Sequence, residues 1–201
     1  MVQQKESVVT AERFAQGLTY DGFLKAIDRN QQRFQENYDG TQVSPEDTAK
    51  LKALMAKPRG PANIVVIGEP WCPDVFRGAP VFARVAEATG MDLRIFFRDQ
   101  NKDMIAEFRN GDFESIPVAV FYTKDMEYLA HWIERPELAD REIHELLGPM
   151  YARLRKPDMT DEERAAAREE NIAFQNGPVW GNWRQETIRE VIALLEKAVG
   201  E

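Results

Sequence analysis

One cysteine, Cys72, and two histidines, His131 and His144, are all the thiol and imidazole that 201 residues hold. A single thiol excludes an internal disulfide framework. The histidines fall on an expected strand and an expected helix, with no cysteine or carboxylate at ligand spacing, so no zinc centre or other metal site is read. His144-Glu145 also lacks the second histidine of a metalloprotease helix. Basic residues are outnumbered, 26 against 34, for a net charge of −8. That balance argues against a general nucleic-acid surface or an anionic-membrane surface, because both need a basic patch. No apolar run approaches the ~20 residues of a membrane span. Met1 to Ser7 lack the apolar core of a signal peptide, so the expected compartment is the cytoplasm. There is no internal repeat and no low-complexity tract, and Gly177 and Gly181 form no phosphate-binding fingerprint.

What is present is ordinary for a globular protein: 43% hydrophobic and 30% charged residues, in a chain long enough to bury a substantial core. Residues 1–9 are polar and read as loose. A short helix is expected over Thr10–Gln16, stopped by Gly17. Apolar residues from Tyr20 to Tyr38 recur at helical spacing and predict one helix. Ser44, Pro45 and Glu46-Asp47 then supply an N-cap, a first-position proline and an acidic first turn, opening a helix to about Lys57. From Pro61 the pattern alternates. Strand Asn63–Ile67, helix Pro73–Ala88 and strand Leu93–Arg98 form a β-α-β unit. A helix over Lys102–Arg109 follows, then strand Val118–Tyr122 and its hairpin partner Glu127–Ile133. Beyond Pro136 the chain is helical again: Glu137–Arg155, interrupted by Gly148-Pro149; a capping-box helix from Thr160 to about Gln175; a loop over 176–181; and a last helix capped by Asn182. Trp180 and Trp183 are read as docking that helix.

The stretch around which this pattern is organised runs from Ile64 to Val75. A β-branched apolar run ends at Gly68, and a Pro-Trp-Cys-Pro turn leads into the next helix. Pro73 suits the first helical position and Asp74 the second, facing the positive end of the helix dipole. Cys72 therefore falls at or beside the N-cap, where free amides stabilise a thiolate. A lone cysteine also serves as a small buried hydrophobe, and Trp71 serves equally as packing at a sheet edge or as a substrate contact.

Trp71-Cys72-Pro73-Asp74-Val75 resembles the Trp-Cys-x-x-Cys turn of the thioredoxin family, with Val75 in place of the second cysteine. Asp99-Gln100-Asn101 resembles the family's segment after its next strand, and Ser115-Ile116-Pro117-Val118 its cis-proline loop. The resemblance covers roughly Pro61 to Arg135, and it extends to a bacterial thioredoxin-like group with a single-cysteine Trp-Cys-x-Asp turn and helical extensions. It implies a three-layer α/β/α thioredoxin-like fold, with a four-stranded mixed sheet in order 2-1-3-4. An N-terminal helical extension (1–60) and a C-terminal one (148–201) would pack on a core at 61–147 as one compact domain. It further implies a cis bond before Pro117, with the backbone of Ile116 free to pair with an extended partner.

Two departures from the family limit the chemistry. Val75 supplies no resolving thiol, and the aspartate that thioredoxins carry six residues before the first cysteine is here Val66. What survives is exchange through Cys72 alone: attack on a protein or small-molecule disulfide, a mixed disulfide, and release by a small reduced thiol as co-substrate, with no bound cofactor. Cys72 and Pro117 are then the catalytic candidates, and Trp71, Pro73, Asp74 and Ile116 the substrate-binding ones. The alternative is a binding or adaptor module that keeps the groove without redox turnover, its helical additions carrying the partner surface. The exchange reading expects an exposed thiol, modestly acid-shifted by the helix and opposed by the charge of Asp74. Arg77 lies too far round the helix to pair with Cys72, which leaves Arg98 as the nearer electrostatic candidate or simply a solvated arginine. Neither substrate nor oligomeric state is legible.

Overall fold

The computed structural model describes residues 7–200. Nine α-helices and four strands occur among them: α1 (Ala11–Ala15), α2 (Tyr20–Ala26), α3 (Gln31–Asp39), α4 (Pro45–Met55), β1 (Asn63–Gly68), α5 (Pro73–Thr89), β2 (Asp92–Phe97), α6 (Lys102–Ile105), β3 (Val118–Tyr122), β4 (Tyr128–Ile133), α7 (Glu137–Leu154), α8 (Asp161–Gln175) and α9 (Pro178–Gly200). The strands form one mixed sheet in the order β2-β1-β3-β4. β1 runs parallel to β2 and antiparallel to β3, and β3 is antiparallel to β4. This is the expected 2-1-3-4 order of an α/β thioredoxin-like fold. Ile64 to Ile67 and Val118 to Tyr122 are buried at every position. Side chains alternate between faces along a strand, so unbroken burial means that both faces of the two inner strands are covered.

Several boundaries differ from the sequence expectation. The first six residues lie outside the described ones, but Ser7 to Val9 are docked rather than loose. Both Ser7 Oγ and the Val8 amide donate to the Glu107 carboxylate, at 2.7 and 2.8 Å, and Val9 is buried. The single helix read over 19–38 is two, α2 and α3. Ile27 is extended and Asn30 is left-handed (φ 60°), a conformation asparagine tolerates better than most residues. The Gln31 side-chain amide donates to the carbonyls of Leu24 and Ile27, satisfying the end of α2. The helix expected to Arg109 stops at Ile105, where the bonds from Glu107 to Met104 and from Phe108 to Ile105 span three residues and tighten the turn. The loop expected over 176–181 is largely helix. α9 begins at Pro178 and passes through Gly181, because burial of Trp180 and Trp183 outweighs the ~1 kcal/mol a helical glycine costs.

The N-terminal helices also fix the sheet and its loops. Leu18 bridges to Ile95 on the outer edge of β2, and Asn30 Nδ2 donates to the Pro70 carbonyl at 2.8 Å, holding the turn that precedes Cys72. Phe76 on α5 lies against Phe34 of α3 and Trp180 of α9, so both extensions meet on the helix that carries the cysteine.

Candidate functional site

β1 ends where Glu69, itself buried, turns back. One of its carboxylate oxygens accepts from the Asp99 amide at 2.8 Å, tying the end of β1 to the end of β2. The Cys72 amide donates to the Glu69 carbonyl (3.2 Å), and the Cys72 carbonyl accepts from Val75 and Phe76. Cys72 is thus the N-cap of α5, with extended dihedrals (φ −85°, ψ 125°), and Pro73 occupies the first turn. Gly68 allows this tight return, because a Cβ there would fall 2.7 Å from Val75 Cγ1. The residue in place of a second cysteine is therefore a packed core side chain.

The Ile116–Pro117 bond is cis. The Cys72 thiol donates to the Ile116 carbonyl at 3.7 Å. Pro117 sits so close to α5 that a Cβ at Gly78 would lie 2.9 Å from its ring. Cys72, Ile116 and Pro117, named from sequence, thus come together. The expected exposed, acid-shifted thiol is not what surrounds them. Cys72 is half-buried against the core. Burial pushes the thiol above its ordinary value, and the charges of Asp74 and Glu134 push the same way, against the pull of the Val75 and Asp74 amides. The half-turn of free N–H groups does not offset a largely apolar setting.

The remaining candidates diverge to opposite edges of the sheet. Trp71 is 47% exposed and faces the β2 edge, where the Arg98 guanidinium lies 5.1 Å from its ring centre. Arg98 is also held by Asp99, so it serves Trp71 rather than the thiol. Asp74 points towards the β4 edge and pairs with Arg77 at 3.0 Å and with Arg135 at 3.3 Å. Burial pushes its carboxyl up, while the two arginines pull it down. Arg77 is ion-paired with Asp74, close enough to Cys72 for its charge to attract a thiolate there, and its side chain is only 1% exposed.

Arg135, Glu69 and Asn30 were not singled out by the sequence. Arg135 had a signal: a charged pair directly after a strand and before Pro136, where the chain must stay extended. It is delivered by Glu134, which is left-handed (φ 66°) and donates its amide to the Pro117 carbonyl at 2.7 Å. A non-glycine residue in that region costs about 1–2 kcal/mol, and it stands beside the candidate site. Among the described residues no cluster of histidine, cysteine or carboxylate groups could hold a metal ion, and no helix is long and apolar enough to cross a membrane.

Residues 17–147 match the family described as thioredoxin, a longer span than the motifs alone cover and one that takes in α2 to α4. No curated protein matches the chain. Two crystal structures are similar along nearly the whole length. A protein of unknown function from Pseudomonas aeruginosa is 17% identical, with a TM-score of 0.60 over 94% of this chain and 99% of that one. An HIV epitope-scaffold is 18% identical, with a TM-score of 0.62 over 96% of this chain and 99% of that one. At these identities the likeness is one of fold.

Proposed function

We propose a function from one premise: this chain belongs to the thioredoxin family, matched over residues 17–147. The function is thiol–disulfide exchange through the single cysteine Cys72, of the Trp-Cys-x-Asp kind that its turn resembles. The observation that supports it is the placement of the thiol at the N-cap of α5, against the carbonyl that precedes Pro117. The deprotonated sulfur attacks one sulfur of a disulfide R–S–S–R′, forming Cys72–S–S–R and releasing R′S⁻. An external thiolate R″S⁻ then attacks the sulfur of R, giving R–S–S–R″ and returning the Cys72 thiolate, which is reprotonated. No net oxidation occurs, and no bound cofactor takes part.

The raised thiol shapes the kinetics. For each unit by which a thiol's pKa rises above the ambient pH, the thiolate fraction falls tenfold. Its nucleophilicity recovers only about threefold, because rates depend on pKa with a coefficient of ~0.4–0.5. Attack is therefore slowed but not abolished. Release is slowed as well, because a thiol of high pKa is a poor leaving group when an incoming thiolate strikes the substrate sulfur. With no resolving cysteine, the mixed disulfide is expected to be long-lived. Trp71, Pro73, Asp74 and Ile116 would border the bound partner. The free Ile116 amide, which has no protein acceptor among the described residues, would pair with an extended segment.

The same raised thiol favours the second reading, a thioredoxin-fold adaptor without exchange. Incubation with glutathione disulfide, followed by intact-mass measurement, separates the two, with Cys72→Ser as the blank. Exchange predicts one adduct per folded chain, formed faster as pH rises through the alkaline range and removed slowly by excess reduced thiol. A folded protein that forms no adduct at alkaline pH, although its thiol reacts once unfolded, would establish the adaptor.

A further inference from the structure

Two asparagines of this chain are followed by glycine, at 110–111 and at 176–177. Such a pair is chemically labile. Glycine has no side chain to hinder its own amide nitrogen, and that nitrogen lies near the carbonyl carbon of the preceding asparagine side chain, where attack closes a succinimide ring. In a folded chain the outcome depends on whether the glycine N–H is already held by an acceptor, and on how much structure must open before nitrogen and side chain meet.

The two pairs differ on both counts. Asn176 is the C-cap of α8, and its amide donates to the Ile172 carbonyl at 3.0 Å. The Gly177 amide donates to the Phe174 carbonyl, also at 3.0 Å, and α9 begins at the next residue, Pro178. Here the nucleophile is occupied, and freeing it means opening a helix junction flanked by the buried Gln175 and Trp180. Asn110 instead lies at the tip of the loop between α6 and β3. Its amide donates to the Phe113 carbonyl at 2.9 Å, and the Phe113 amide returns to the Asn110 carbonyl at 3.0 Å. Gly111 (φ 60°) makes the reversal between them, with nothing but its chain neighbours within 4 Å of where a Cβ would stand. Among the described residues the Gly111 amide has no acceptor. Arg109 to Phe113 are all exposed, Phe113 by 73%. The loop is anchored on both sides of this tip, by the buried Phe108 and by Glu114, which accepts from the Lys102 ammonium at 2.8 Å. The tip therefore opens without uncovering core.

We propose that Asn110 is a site of spontaneous deamidation in the folded protein, whereas Asn176 is protected. The Gly111 nitrogen loses its proton and bonds to the side-chain carbonyl carbon of Asn110. The bond from that carbon to the side-chain nitrogen breaks, and the nitrogen leaves as ammonia with the proton returned to it. Water then opens the succinimide at either carbonyl. The product is aspartate or, with the Cβ carried into the main chain, isoaspartate. Nothing is oxidised or reduced. Either product puts a new carboxylate into the loop that leads to Ile116 and Pro117, and isoaspartate also lengthens its tight reversal. Cys72 takes no part, so Cys72→Ser should deamidate at the same rate whether or not the chain exchanges disulfides.

The full chain is incubated at neutral and at mildly alkaline pH, and in parallel unfolded in urea. Peptide mapping by mass spectrometry then follows the gain in mass as each amide becomes an acid. In the folded protein Asn110 should convert at least about tenfold faster than Asn176, a ratio that corresponds to ~1.4 kcal/mol in the cost of opening. Its rate should climb with pH, because the attacking nitrogen must shed a proton. In urea the two rates should converge. Equal rates in the folded chain, an Asn110 that converts only in urea, or a preference for Asn110 that persists in urea would each overturn the proposal.

Discussion

Asp74 is the residue whose removal tests most about how this site is held. Its carboxylate is the shared partner of Arg77 and Arg135, at 3.0 and 3.3 Å, and its side chain is 16% exposed. Arg135 keeps Glu134 and Asp140 when Asp74 is replaced by alanine. Arg77 keeps only the Glu134 carbonyl and the faces of two tryptophans, and its side chain is 1% exposed. Leaving one member of a buried pair uncompensated costs roughly 3–5 kcal/mol. With a urea m-value of about 2 kcal/mol/M, the lower end of that range moves the unfolding midpoint down by about 1.5 M. Arg77→Leu in the Asp74→Ala background removes the stranded charge and should regain part of the loss, since a buried pair replaced by apolar groups is often close to neutral. The assay is urea unfolding of the wild type, both single variants and the double variant, read by tryptophan fluorescence and circular dichroism. A midpoint shift below about 0.5 M for Asp74→Ala, or a double variant less stable than both singles, would refute a desolvated Arg77 held by Asp74.

Two further outcomes bear on the thiol. Val75→Cys places a second thiol three residues along the first turn, and intramolecular attack should shorten the Cys72 mixed disulfide by about 100-fold or more against millimolar external thiol, measured as adduct decay by mass spectrometry; an unchanged lifetime would show that position 75 does not reach the sulfur. The second is pH dependence. A thiol raised on folding is held protonated more tightly in the native state, so stability is lost as pH rises from the unfolded value, about 8.5, towards the folded one. The unfolding free energy of the wild type minus that of Cys72→Ser should fall across that window and be flat below it. A difference that rises with pH would mean a depressed thiol and would restore the acid-shifted expectation.

The sheet was legible because its inner strands are short β-branched or aromatic runs with turn residues at both ends. Ile64–Ile67 and Val118–Tyr122 read as inner strands because an unbroken apolar run is what burial of both faces requires, whereas the strand order came from the family resemblance and not from periodicity. The misread boundaries share a cause. At Asn30 a helical spacing of apolar residues persists across a chain reversal, because α2 and α3 both turn that face to one core and Phe23 and Phe34 meet there. At Gly181 the local helix-breaking signal lost to the burial of two tryptophans. Periodicity reports which side faces the core and is blind to a break that preserves it.

The site was half legible, for a different reason. Cys72, Ile116 and Pro117 are set by two loops whose local residues announce them. The ionisation of the thiol is set by what the rest of the chain brings over it. The dipole argument uses only residues 73–75, all visible in sequence, and it points towards a thiolate. Against it stand burial, the charge of Asp74, which the sequence did show, and the charge of Glu134, which arrives from the end of β4 through a left-handed turn that no local signal predicts. In the same way the partner of Arg77, Asp74, was in view in the sequence, but Arg135, Trp180 and Trp183, which make Arg77 a buried cation rather than a solvated one, come from the distant β4–α7 junction and from α9. A nucleophile's position is a local property of a turn, whereas its pKa is a property of everything folded against that turn. The C-terminal extension therefore belongs to the chemistry of Cys72 as much as the turn does, since α9 encloses the arginine that its neighbour Asp74 must hold.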